Sequence, residues 1–233
     1  LTITGRNLTT GAVDFSVASH RYLDDGPSPG NNLPSDISTI SVTVSDDDTG
    51  EGSSSVPLTV NNAAPVVSGL GTTAVPENGF ATVTGTFTDI GKSDVHTVTV
   101  DWGDPNNGMD STFTVAPTKD LAVDETFAST TDSAVLTITA VDPDTGEVSF
   151  SVASHQYLDD DPTGTASDVY DITVTVSDDD SGEGSNIVVQ TVNNESPTVA
   201  LDAVTGIDEN GTATLGGTIT DDGSLDTFTL DVT

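Results

Sequence analysis

Residues 169–184 read VYDITVTVSDDDSGEG. Tyr170, Ile172, Val174 and Val176 fall on every second position, with Asp171, Thr173 and Thr175 between them. Successive side chains of an extended chain point to opposite faces, so this spacing predicts a strand with one buried face. The strand runs into Asp178, Asp179 and Asp180, then Ser-Gly, residue types that favour turns. The string returns as ISVTVSDDDTGEG at residues 40–52. No stretch of the 233 residues carries a helical stripe of period 3.6.

The duplication extends in both directions. SVASHRYLDD (16–25) matches SVASHQYLDD (151–160), TVNNAAPVV from Thr59 matches TVNNESPTV from Thr191, and AVPENGFATVTGTFTD from Ala74 matches GIDENGTATLGGTITD from Gly206. The offsets run from 132 to 135 residues. A fixed period of this kind marks a tandem array. The expected units are the back part of one repeat at 1–62, a whole repeat at 63–194 and the front part of another at 195–233. Two readings of the partial ends stand side by side: a piece of a longer array, or ends that complement each other between identical chains by strand addition. Front and back parts together lack a counterpart of about Trp102–Val135.

Within 63–194, alternation places strands at 66–70, 81–89, 96–102, 111–117, 134–141, 147–154, 169–177 and 186–192. VDPDTGE between the fifth and sixth reads as a hairpin turn. Many short strands with turn signals between them imply an all-β fold, an antiparallel sandwich.

Composition narrows the function. Four Lys+Arg stand against 38 Asp+Glu, a formal net charge of −34. Such a chain does not bind nucleic acid through phosphate contacts and is repelled by anionic membrane surfaces. A compact body at this charge repels itself unless cations, salt or an extended shape relieve it. There is no cysteine for disulfide or thiol chemistry, no apolar run near the roughly 18 residues of a membrane span, and no leader-like basic and apolar segment in LTITGRN.

DWGDP (101–105), SHQYLDD (154–160) and VYDITVTVSDDDSG (169–182) together resemble the polycystic-kidney-disease (PKD) repeat. The resemblance covers most of 63–194 and flanking parts of both end units. It implies tandem Ig-like β-sandwich repeats with a WGD-type turn after the third strand. It also implies a place in extracellular proteins: surface layers, adhesins, or spacers of secreted polysaccharide-degrading enzymes. It implies no catalysis. The unit departs from the pattern by being longer. Leu121–Phe150 reads as an insertion that widens one sheet or forms a flap.

Strands of such a sandwich run alternately between two poles, which sorts the acids. One pole carries Glu77, Asp104, Asp159, Asp160 and Asp161, followed by linker residues Asn193 and Asn194 and the next unit's Asp221 and Asp222. The preceding junction has Asp24 and Asp25, linker Asn61 and Asn62, then Asp89 and Asp94 beside Asp178, Asp179, Asp180 and Glu183. Carboxylates and amide carbonyls from flexible loops suit calcium, which takes six to eight hard oxygen ligands. Magnesium demands a tighter octahedron, and softer metals find no cysteine cluster. The plan is analogous to cadherin junctions, where acidic loops and an Asn-containing linker share calcium. The competing reading is that the acids are solvated turns.

Other constellations carry less. His20 and His155 share one repeat position beside Tyr22 and Tyr157 and read as packed rings, and with His96 they form no metal or nucleophile set. Trp102, at a strand end, reads as core. Lys92 and Lys119 select no partner for an isopeptide bond. Asn7, Asn194 and Asn210 stand in glycosylation-type triplets. Carboxylate pairs are too abundant to single out a glycosidase pair, and no G-x-S-x-G or Walker-type loop occurs. The expected function is a calcium-stiffened structural segment of an extracellular fibre or adhesin stalk, partnered by neighbouring repeats of the same or identical chains. The alternative is an accessory module that binds polysaccharide or a cell-surface protein, which calls for an exposed aromatic patch.

Overall fold

A computed structural model describes residues 1–26, 30–161 and 163–233. Pro162 of the expected LDDDPTG loop therefore lies outside the described residues, as do Pro27, Ser28 and Pro29 of the first unit.

Alternation delivers strands throughout. The first unit holds two hairpins, β1 (Thr2–Asn7) with β2 (Ala12–Ser16) and β3 (Ser35–Ser45) with β4 (Glu51–Asn61). The middle unit holds β5 (Val66–Gly71), β6 (Val75–Pro76), β7 (Phe80–Thr88), β8 (His96–Asp101), β9 (Ser111–Val115), β10 (Thr126–Ala128), β11 (Val135–Asp142), β12 (Glu147–Gln156), β13 (Ser167–Ser177) and β14 (Glu183–Asn193). The last unit pairs β15 (Thr198–Leu201) with β16 (Gly217–Thr220). One 3-10 turn, Thr118–Asp120, is the sole helical element among the described residues.

The middle unit forms two five-stranded sheets, in the orders β10-β11-β12-β7-β5 and β6-β14-β13-β8-β9. All pairings are antiparallel except the short contact of β6 with β14, where Val75 lies opposite Val192. The inner faces share one core. Val83, Phe87, Leu136, Ile138, Phe150 and Val152 come from the first sheet, and Val98, Val100, Phe113, Ile172, Val174 and Val176 from the second, all at 0–1% exposure. Each such side chain contributes about 1.5–3 kcal/mol through removal from water. This is an all-β, sandwich-like architecture. The expected insertion at 121–150 contributes β10, β11 and the start of β12 to the first sheet, with β12 hydrogen-bonded along the length of β7. It widens the sheet and is not a flap.

Trp102 is 1% exposed and tied into a buried aromatic group. The His155 ring stacks on it at 4.7 Å, Tyr157 meets His155 edge-on at 4.8 Å, and the Tyr157 hydroxyl donates to the Trp102 carbonyl at 2.7 Å. Trp102 Nε1–H donates to Ser111 Oγ at 2.9 Å. Asp104 belongs here as well, its Oδ2 lying 3.2 Å from His155 Nε2. In the first unit His20 meets Tyr22 edge-on at 4.7 Å.

The same residue types behave differently in the first unit. Ile3, Phe15, Ile40, Val42 and Val44 occupy the repeat positions of Ile138, Phe150, Ile172, Val174 and Val176. They are 37–62% exposed, because among the described residues no facing sheet covers them.

Candidate functional site

The acid-rich loops fold through their own side chains before they meet anything else. In DDDSGEG the Asp178 N–H donates to the Gly182 carbonyl at 3.0 Å, while Asp178 Oδ1 accepts from the N–H groups of Asp180 (3.0 Å) and Gly182 (2.6 Å). The twin DDDTGEG repeats this at Asp46, whose Oδ1 accepts from Asp48 (3.1 Å) and Gly50 (2.6 Å). Ser181 and Thr49 hold the same positive φ, 70° and 73°. The first aspartate of each triplet is thus a turn former. Asp46, Asp47 and Asp48 are exposed, whereas Asp178 and Asp180 are 8% and 0% exposed. Neighbouring loops make the difference.

At the junction of the first two units, four segments converge: 24–25, linker Asn62, 89–94 and 178–180. Ligand-type oxygens of Asp24, Asp94 and Asp180 lie within 4.8 Å of one another, as do those of Asp89, Asp94 and Asp178. Asp94 belongs to both groups. The Asn62 side-chain amide donates to Asp178 Oδ2 (2.8 Å) and to the Asp180 carbonyl (3.2 Å), which fixes the linker onto the loop. Asp89 is held by the Gly91 N–H at 2.8 Å and faces His96 Nε2 at 3.1 Å.

The junction of the second and third units is built alike. Glu77 gathers with Asp159 and Asp160 on one side and with Asp221 and Asp226 on the other, again within 4.8 Å in each group. Its Oε1 accepts from the Glu195 N–H at 2.6 Å, and its own N–H donates to the Asn193 carbonyl at 2.9 Å. Gly223 makes the crowding possible: a Cβ there would lie 2.7 Å from the Glu77 carboxyl carbon and 2.8 Å from Asp226 Oδ2.

Several of these oxygens are buried without a hydrogen-bond donor: Asp25 Oδ2, Glu77 Oε2, Asp94 Oδ1, Asp160 Oδ2, Asp180 Oδ2 and Asp221 Oδ2. Five of the six residues are at most 5% exposed, and Asp221 is half-buried. An ionised carboxylate in such a position costs several kcal/mol unless a cation or proton meets it. Burial first, then Asp89 and Asp24, push the Asp94 carboxyl up to about 8. Burial pushes Glu77 to about 7 against the lowering Glu195 N–H, with Asp226 and Asp160 adding repulsion. Burial and Asp180 raise Asp25 to about 6, and burial also raises Asp159, Asp160 and Asp180. Among the described residues no Lys or Arg forms an ion pair within these groups. Lys92 instead donates to the carbonyls of Pro143 and Asp144. Hard carboxylate oxygens grouped in this way could hold a hard cation.

Not every expected residue joins these groups. Asp104 is engaged by His155, and Asp179 by backbone N–H groups. Asp161 accepts the Tyr170 hydroxyl on its carbonyl. Glu183 and Asp222 are exposed, Asn61 is exposed at the end of β4, and Asn193 and Asn194 take part through backbone atoms. Asp226 was missed in the sequence, although it is the counterpart of Asp94 at an offset of 132. Asp222 sits at the position of exposed Ile90 by the same offset.

No protein-family profile matches the chain, and no curated protein matches it.

Proposed function

We propose that this chain is a segment of a PKD-like, Ig-type repeat array from an extracellular surface fibre or adhesin stalk, in which calcium bound between repeats holds the array stiff. The observation that carries the reading is the set of buried, donor-less carboxylate oxygens between sequence repeats. Asp94, Asp180 and Glu77 each carry such an oxygen, and each belongs to an acidic group with members from two units, Asp24 with Asp94 and Asp180, and Glu77 with Asp221 and Asp226.

Calcium suits those groups because it accepts six to eight oxygens from loops of uneven geometry. Asp24, Asp89, Asp94, Asp178 and Asp180 would hold it at the first junction. Glu77, Asp159, Asp160, Asp221 and Asp226 would hold it at the second. Bound ions cancel the repulsion between units and tie each linker to both neighbours. Repeats in a line contact only their neighbours, so stiffness is decided junction by junction. Extracellular modules of this type bind at about 10⁻⁴–10⁻³ M, which fills them outside the cell. Residues at the poles then serve assembly, and the sheets serve as spacers.

Calorimetric titration of the whole chain with calcium, paired with thermal melts in calcium and in chelator, tests the proposal. Saturable binding at about millimolar or tighter with a raised melting temperature supports it. Absence of binding heat together with superimposable melts overturns it, and leaves the acids as turn formers.

A further inference from the structure

The two junctions differ in one loop. Between YLDD and the following long strand the repeat offset falls from 135 to 132, so the first unit carries three more residues here than the second. The described part of that loop contains Gly30, Asn31 and Asn32, and these residues reach across to the DDD loop of the next unit. The Gly30 N–H donates to Asp179 Oδ2 at 2.6 Å, the Asn31 N–H to Asp180 Oδ1 at 2.7 Å, and the Asn32 N–H to the Asp179 carbonyl at 3.0 Å. Asp179 Oδ1 meanwhile accepts from Val95 N–H at 3.0 Å. One carboxylate thereby joins the preceding repeat, the 89–95 loop and its own turn.

We infer that Gly30–Asn32 form a cation-independent clasp that docks the first unit on Asp179 and Asp180 of the next. Three features carry it. The donors are consecutive main-chain N–H groups facing carboxylate and carbonyl oxygens, and hydrogen bonds to a charged acceptor are the stronger kind. The clasp uses Asp180 Oδ1 and leaves the buried Asp180 Oδ2 without a donor, so one oxygen stays open to a cation. Close approach requires glycine: a Cβ on Gly30 would press on the Asp179 carbonyl and lie 2.6 Å from Asp180 Oδ1. The linker contact beside the clasp is common to both junctions: Asn62 N–H donates to the Pro34 carbonyl at 3.1 Å and Asn194 N–H to the Ala166 carbonyl at 3.2 Å. The clasp keeps this junction registered without ions.

The test uses the whole chain in chelator, so it is independent of the calcium reading. Hydrogen exchange of the Asn31 and Asn32 amides is compared between the parent chain and Gly30→Ala, and a deletion of Gly30–Asn32 is read by distances between labels. Protection in the parent at Asn31 and Asn32, falling about tenfold or more in Gly30→Ala with β13 and β14 still protected, supports the clasp. The deletion should widen the distribution of distances between labels on β3 and β8 in chelator. Fast exchange at Asn31 and Asn32 in the folded parent chain overturns it, as does a Gly30→Ala variant with unchanged protection. Calcium binding without this protection would retain the cation reading and reject the clasp.

Discussion

Asp94→Asn should change the sign of its effect with the ion. Asp94 is 1% exposed, sits in two acidic groups and has its carboxyl pushed from 3.8 to about 8, first by burial and then by Asp89 and Asp24. A carboxyl with a raised native value is bound more tightly to its proton in the folded chain than in the unfolded one. Its contribution is therefore complete below about pH 4 and is lost as pH climbs towards about 8. At pH 7 the linkage amounts to about 4 kcal/mol at most, and screening by solvent at the rim brings the expected penalty to about 2 kcal/mol. Asparagine keeps the shape without the charge, so in chelator at pH 7 the variant should be about 2 kcal/mol more stable than the parent. At calcium near a hundred times its dissociation constant the parent gains about 3 kcal/mol from binding. The variant loses most of that gain, because both acidic groups of the first junction share Asp94. Urea melts at pH 5 and pH 7, each with chelator and with calcium, read all four states. The parent should lose stability from pH 5 to pH 7 in chelator and hold it in calcium. A variant destabilised equally in chelator and in calcium would refute the argument, since Asp94 would then be an ordinary structural acid.

Other expectations follow from the same geometry. Glu77→Gln should remove cation binding at the second junction and leave the first, lowering the calorimetric stoichiometry, whereas Asp222→Asn at an exposed site should leave it unchanged. His155→Ala removes the ring stacked on Trp102 and leaves Asp104 Oδ2 buried without its partner. It should cost about 2–4 kcal/mol in urea melts followed by the fluorescence of Trp102, with calcium affinity altered less than about twofold. Phe150→Ala should cost about 3–5 kcal/mol in the middle unit. Phe15→Ala, at the same repeat position but 47% exposed, should cost less than about 1 kcal/mol.

Local chemistry was legible in the chain itself. Alternation located eight strands of the middle unit to within a few residues, because a two-residue period has one meaning when one face must be dry. It missed β6 and β10, two and three residues long, which exist only because β14 and β11 offer them partners. The repeat placed the acids at the ends of strands, and Asp89, Asp94, Asp178 and Asp180 do meet. Asp104 and Asp179 look the same as these in the sequence, yet His155 and the N–H groups of Gly30 and Val95 claim them.

Pattern alone therefore determined the all-β class, the repeat and the polar placement of charge, since each is a property of spacing along one chain. Burial was decided in three dimensions. Ile40 and Ile172 hold the same repeat position, one 42% and one 0% exposed, because among the described residues only the second faces another sheet. The DDD loops differ likewise: Asp46–Asp48 lie in water, while Asp178 and Asp180 lose it to Asn62, Asn31 and Asp94. Desolvation by Asn31 and Asn62 of the preceding unit, added to that by Asp94, turns a solvated turn into a candidate ion site, and those two asparagines arrive only when two units meet.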